Sequence, residues 1–223
     1  YKEQYGPGRG DSLICGKIWM KGIPVGVIAS NKNGVIFTQA AQKAAEFIVR
    51  CSNDKTPLLF IQGAPGYMVG KEEEWAGIGK YGSNMVRTVA CSKVPKIQWV
   101  IGPDHGAANY GMCGRAYKPN FIFNTLRART TVMAGNTAGF ILESLERKNT
   151  LARGETIDEE KMAAFRQKMR DRYDGDGHPF TTGSVLLHDG LITWAESRDK
   201  IARGFELALR QPIPDSKFGN VKF

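Results

Sequence analysis

Histidine and cysteine are scarce, three and four residues in a chain of 223. His105, His178 and His188 share no spacing that would gather three metal ligands, which argues against a bound zinc ion. Cys15, Cys51, Cys91 and Cys113 form no CxxC pair. Each lies among apolar or small residues, so buried free thiols are expected rather than disulfides, in keeping with a reducing compartment. No apolar run approaches the roughly 20 residues of a membrane span. No signal peptide opens the chain; Tyr1-Lys2-Glu3-Gln4 reads as the middle of something longer. The nucleotide patterns GxxxxGK(S/T) and GxGxxG are missing after the first strand, as is the nucleophile elbow GxSxG. Common phosphate-loop and serine-hydrolase chemistry is thereby set aside.

Charge, by contrast, is plentiful: 31 Lys and Arg against 22 Asp and Glu give a formal +9. The positive residues alternate with acids, as in Glu143–Lys148 and Glu155–Arg172, and no run of aromatics sits among them. A nucleic-acid surface would concentrate them to release phosphate counterions. A solvated basic surface that draws in polyanionic small ligands fits better. Arg9-Gly10-Asp11, in a short polar turn, is a chance tripeptide. At this length and 42% hydrophobic content, one core and a single domain are expected.

Strand and helix patterns alternate along the chain, which predicts an α/β fold. Ser12–Met20 and Ile23–Ala29, joined at Lys21-Gly22, predict a hairpin. Thr38 is expected to cap a helix whose Ala41, Ala44, Ala45, Ile48 and Cys51 share a face. PLLFIQ (Pro57–Gln62) and PKIQWVI (Pro95–Ile101) read as buried strands. Between them one long helix is expected near Glu72–Cys91. Strands follow at Phe121–Asn124 and Thr130–Met133, then a helix over Asn136–Lys148. Thr156 with Glu159 suggests a capping box for a helix carrying Met162, Phe165, Met169 and Tyr173. Val185–Leu187 and Leu191-Ile192 flank a turn at Asp189-Gly190. A last helix is placed at Ser197–Arg210, and residues 211–223 form a tail.

Two strand-to-helix corners are packed with small residues, Gly63–Gly70 (GAPGYMVG) and Gly102–Gly114 (GPDHGAANYGMCG). Such a corner lets a ligand approach the backbone, and the free amides opening the next helix favour negative charge. It can hold a phosphate or an enolate, or it can simply pack a helix tightly on a strand. With the other motifs absent, backbone-amide chemistry on thioester enolates is the reading that remains.

In this order PVGVIASN, TQAAQKAAEFI, PLLFIQGAPGYMVG, GSNMVRTVACSKVPKI, GAANYGMCGRAYKPNFIF and HDGLI resemble the carboxyltransferase β subunit of biotin-dependent acyl-CoA carboxylases. The resemblance runs from about Tyr1 to Arg210; NYGMCGRAY and GYMVG are similar to the methylcrotonyl- and geranyl-CoA branch. It implies a crotonase-like spiral of β-β-α units. It also implies that this chain is the carboxyl-terminal domain only, without the amino-terminal half that mainly binds coenzyme A. Implied partners are that amino-terminal carboxyltransferase domain, a biotin carboxylase and biotin carboxyl carrier subunit, and further copies of the chain in a homo-oligomer. No nucleic acid or membrane partner is implied. Biotin is expected on another chain, since the biotinyl-lysine signature AMKM is absent. The location implied is cytoplasmic for a bacterial source and the mitochondrial matrix for a eukaryotic one.

The implied chemistry is carboxyl transfer from carboxybiotin to an acyl-CoA enolate, with backbone amides stabilising the charge. By motif position Ala107 and Ala108 match the amide pair, and Gly106 the close turn. Tyr110, Asn109 and His105 match the surroundings of the acyl substrate, and Gly66 and Tyr67 a corner flanking biotin. The chain departs from the family at Asp104-His105, where a small residue and an aromatic are usual, and at Ala108, where glycine is usual. It departs again at Met133–Ala138. The Asp104 carboxylate either orients His105 for proton transfer, or His105 replaces an aromatic in packing. These departures leave open a decarboxylase or other enolate reaction on the same fold, and a catalytically silent assembly subunit.

Overall fold

The computed structural model describes residues 2–5, 8–31 and 34–219. Its spine is a seven-stranded sheet in the order β1-β2-β3-β4-β5-β7-β9. The strands are β1 (Lys2–Glu3), β2 (Leu13–Met20), β3 (Ile23–Ser30), β4 (Leu58–Gln62), β5 (Lys96–Val100), β7 (Phe121–Asn124) and β9 (Gly190–Leu191). The first three pair antiparallel, and β3 onward is parallel. The predicted hairpin is present: Lys21 and Gly22 both take positive φ, 47° and 84°, as a two-residue turn between twisted strands requires. A separate parallel pair joins β6 (Pro103–His105) to β8 (Arg129–Thr131). This β-β-α repetition is the crotonase-like spiral.

Because strand side chains alternate, each face of the parallel sheet has its own core. Leu58 and Phe60 of β4 pack under α1 (Thr38–Asn53) and α3 (Ile78–Cys91), with Phe47, Ile48, Met85 and Val89. Leu59, Ile97 and Trp99 face the other way, against Ile201, Ala202 and Phe205 of α8 (Trp194–Ala208). The five residues expected on the inner face of α1 are all buried. Lys96, also buried, donates Nζ to Val89 O and Ser92 O at 2.9 and 3.0 Å, so its charge caps the carboxyl end of α3; burial pulls its pKa below the usual lysine value. Cys15 is buried, and Cys51 and Cys113 are buried free thiols. Burial pushes Cys51 and Cys113 up to about 12, so they are inert packing groups.

Several boundaries differ from expectation for local reasons. Thr38 does not cap α1. It is the first helical residue, and its N–H and hydroxyl both donate to Glu73 Oε2, at 2.8 and 2.6 Å. The long helix over 72–91 is two: α2 (Lys71–Ala76) and α3, broken at Gly77, whose φ of 90° an α-helix cannot contain. The strand placed at 130–133 ends at Thr131, where the Thr131 hydroxyl turns back on Met133 O at 2.6 Å. Thr156 is not a cap either; Asp158 takes that place, accepting from Lys161 N at the start of α6 (Glu159–Asp176). On α6, Met162 is buried and Phe165, Met169 and Tyr173 are half-buried, as the periodicity predicts. The short α4 (Gly106–Gly111) follows β6 as expected; α5 (Gly135–Ala152) runs past its expected end, and α7 (Pro179–Ser184) was not foreseen.

The last helix begins earlier than expected, at Trp194, behind a capping box of Thr193 and Glu196. The tail is docked through 219: Ile213 packs on the core, and Ser216 Oγ accepts from Lys93 N at 2.9 Å; residues 220–223 lie outside the described ones. Among the described residues no helix is long and apolar enough to cross a membrane. Phe47, fully buried and edge-on to Tyr5, ties α1 to the sheet. Phe47→Ala is expected to lower the unfolding free energy by about 3–5 kcal/mol. Trp19→Ala, at a side chain 72% exposed, is expected to change it by less than about 0.5 kcal/mol; denaturant titration of both variants checks the contrast.

Candidate active site

The two glycine-rich corners lie side by side, because they leave the carboxyl ends of neighbouring strands. Gln62 at the end of β4 pairs with Val100 at the end of β5, and a Cβ on Gly102 would come within 3.8 Å of Gly63 Cα. A buried polar network joins them. Gln62 Nε2 donates to Asp104 Oδ1 at 2.7 Å, while Gln62 Oε1 accepts from Ala64 N at 3.3 Å. Asn109 Nδ2 and Thr130 Oγ1 donate to Asp104 Oδ2 at 2.7 and 3.0 Å. Three donors converging on two oxygens complement an ionised carboxylate. Burial raises the Asp104 pKa above the ordinary aspartate value, and hydrogen bonds from Gln62, Asn109 and Thr130 oppose that rise.

Asp104 and His105 are not a pair. Successive residues of β6 point to opposite sides, so Asp104 meets Thr130 while His105 meets Thr131, its own partner on β8. His105 Nδ1 lies 2.7 Å from Thr131 Oγ1, whose single proton goes to Met133 O. Nδ1 therefore carries a proton and donates it, leaving Nε2 as the basic nitrogen. Burial pulls the His105 pKa down, against the nearby Asp174 carboxylate, which raises it. The expectation that Asp104 orients His105 for proton transfer is thus corrected: His105 bonds Thr131 instead. The side chain of His105 is buried at the amino-terminal cap of α4.

Gly106, Ala107 and Ala108 open α4, where helix geometry gives their N–H groups no carbonyl within the helix. Gly106 holds φ +52°, and a Cβ there would stand 2.8 Å from Val132 O; only glycine permits this turn. Ala107 is exposed and Ala108 buried. Asn109 turns inward to Asp104, and its side chain fills the space beside Gly114. Tyr110, 46% exposed, sits edge-on to Tyr117 at 5.7 Å.

Gly66 and Tyr67 run beside Ile36, with Ile36 N donating to Gly66 O at 3.0 Å. A Cβ on Gly66 would meet nothing within 4 Å, so its backbone has an open side. The Tyr67 ring enters a slot that Gly82 and Gly111 leave between α3 and α4, with its hydroxyl on Met85 Sδ at 3.5 Å. Burial raises the Tyr67 pKa well above the ordinary tyrosine value. The corners and their amides were legible in the sequence; Gln62, Thr130 and Thr131, which hold them, were not. One signal was available for Gln62: a polar residue closing the otherwise apolar run PLLFIQ.

The chain thus carries a crotonase-like spiral with two glycine-rich corners at adjacent strand ends. The chain belongs to the carboxyl transferase domain family, whose model matches residues 2–221. It is 39% identical over 219 residues to the mitochondrial methylcrotonoyl-CoA carboxylase beta chain of Arabidopsis thaliana, covering 98% of this chain and 36% of that protein. With the biotin-dependent 3-methylcrotonyl-coenzyme A carboxylase beta1 subunit of Mycobacterium tuberculosis it shares 37% identity, over 98% of this chain and 40% of the relative. The crystal structure of the geranyl-CoA carboxylase beta subunit of P. aeruginosa superposes with a TM-score of 0.80 at 33% identity, covering 95% of this chain and 40% of that one. The chain therefore spans about two fifths of the length of these relatives.

His105 gives a pH test. Its folded-state pKa lies below the ordinary 6.5, so between those values the unfolded chain binds more protons. Stability from this group is full above about pH 6.5 and is lost as pH falls through the folded value. In His105→Phe that loss is absent, so unfolding free energy should fall less between about pH 7 and pH 5 than in the parent. Equal slopes in the two proteins would contradict the buried, neutral imidazole.

Proposed function

We propose that this chain is the carboxyl-terminal domain of a carboxyltransferase subunit and takes part in carboxyl transfer from a biotin carrier to a branched or unsaturated, methylcrotonyl-like acyl-CoA. One observation carries the reading: a family match along nearly the whole chain, on a fold that sets the two amide-bearing corners next to each other. Biotin, brought on a separate chain, supplies the carboxyl group and then the base that takes the substrate proton.

The residues of this chain supply placement and charge stabilisation. The N–H groups of Ala107 and Ala108, held by the tight turn at Gly106, donate hydrogen bonds to the thioester oxygen and stabilise the negative charge that develops on it as the enolate forms. Such donors act without rearrangement because the network on Asp104 fixes the turn before substrate arrives. Tyr110, exposed beside the corner, offers an aromatic wall for the acyl group. Gly66 presents backbone without a side chain, the approach that a flat ureido ring needs, and Tyr67 braces it from behind. His105 faces Thr131, so we assign it packing and turn geometry rather than the proton step. Asn109 acts through Asp104 and positions α4.

Coenzyme A contacts are assigned mainly to an amino-terminal domain, and the net positive charge of this chain favours the approach of that polyanion. Phe140, Ile141 and Leu145 stand more than half exposed along α5, an apolar surface suited to that domain or to another copy of the chain.

The test is reassembly. The chain alone should not turn over acyl-CoA, since catalysis needs both reactants positioned together. Supplying the amino-terminal domain and a biotin-bearing partner should yield acyl-CoA heavier by the mass of CO2. In that reassembled enzyme Ala108→Gly should keep its activity. Ala108→Pro, which removes one donor in the first helical turn, should lose on the order of 10²-fold in rate, at unchanged melting temperature and coenzyme A binding. Normal turnover by a normally folded Ala108→Pro enzyme would remove this corner from the mechanism.

A further inference from the structure

On the face of the sheet that carries Phe60, the interior turns polar toward β7. Gln98 of β5 is fully buried and Asn124 of β7 nearly so, on neighbouring parallel strands, with Gln98 opposite Ile122 and Val100 opposite Asn124. Both side chains line a small cavity of about 50 Å³, whose walls also include Asp104, Asn109, Arg115 and Thr130. Neither the amide nitrogen nor the oxygen of Gln98 has a hydrogen-bond partner among the described residues; the same holds for Asn124 Oδ1 and Arg115 Nε. Buried polar groups are almost always satisfied, so four around one cavity call for an occupant.

We propose that this cavity is an internal hydration site, holding one or two water molecules on Gln98, Asn124 and Arg115. Size agrees, since a water occupies about 30 Å³ and needs two to four polar partners. Valence agrees as well. Gln98 Nε2 and Arg115 Nε are donors, and Gln98 Oε1 and Asn124 Oδ1 are acceptors. Water both gives and takes two hydrogen bonds; two waters share the four groups and bond each other. An anion would face two acceptor oxygens and the Asp104 carboxylate, and a cation would face the Arg115 guanidinium. Arg115 is held in place from the other side, by Asp189 at 3.0 Å.

The site links the sheet to the functional corner, because Asp104, Asn109 and Thr130 form both its wall and the network that fixes α4. The inference rests on the fold and is independent of the reaction proposed above.

A crystal structure of the chain at a resolution that shows ordered water tests it. The expected result is a water within about 3.2 Å of the Gln98 amide and of Asn124 or Arg115, and its loss in Gln98→Met. A dry cavity, or a Gln98 amide bonded only to protein groups, would overturn the proposal. So would an anomalous peak there after a bromide soak, which would identify an anion. If Gln98→Met does not fold, the parent's density decides alone.

Discussion

The Asp104 carboxylate is the constraint on which the functional corner depends. It lies nearly without exposure and accepts hydrogen bonds from three elements: Gln62 at the end of β4, Asn109 in α4, and Thr130 in β8. A buried carboxylate in a low-dielectric interior is tolerated only when its oxygens are satisfied. Those partners occupy fixed places in the sequence of elements, so satisfying the charge also fixes how β4, β6–β8 and α4 meet. Asp104 is thus a structural tie between β4, β6, β8 and α4.

The rest of the corner follows from close backbone approach. Gly106 leaves β6 at a positive φ under the Val132 carbonyl, and α4 begins there with its first amides unclaimed by the helix. Tyr67 reaches across from the neighbouring corner into space that exists only because Gly111 has no side chain; a Cβ there would collide with the tyrosine hydroxyl. The first corner therefore buttresses the second through one phenol ring, and Asp104 ties the same two corners through Gln62. Two independent contacts, one apolar and one polar, hold the two corners against each other.

The strands and the two corners were legible in the sequence because their signals are local: short apolar runs, and glycines where the chain must turn tightly. Helix ends were less so. Thr156 and Thr193 both open a Thr-x-x-Glu pattern, yet only Thr193 with Glu196 forms a capping box; at the other, Asp158 lies nearer the first turn and takes the cap. Gly77 broke a helix that periodicity alone ran through. The polar network was hidden for another reason. Gln62, Asp104, Asn109 and Thr130 are separated by up to 68 residues in sequence (130 − 62), and only the parallel register brings them together. His105 was ambiguous until the alternation of β6 showed that it and Asp104 point to opposite sides.

The most direct test of this account is the unfolding free energy of Asp104→Ala, measured by denaturant titration. Removing the carboxylate strands three donors, the buried Gln62 and the half-buried Asn109 and Thr130, each worth about 1 kcal/mol when left unsatisfied, so a loss of about 3 kcal/mol is predicted. A change within about 0.5 kcal/mol, the range of an ordinary surface substitution, would contradict the claim that Asp104 ties the two corners together.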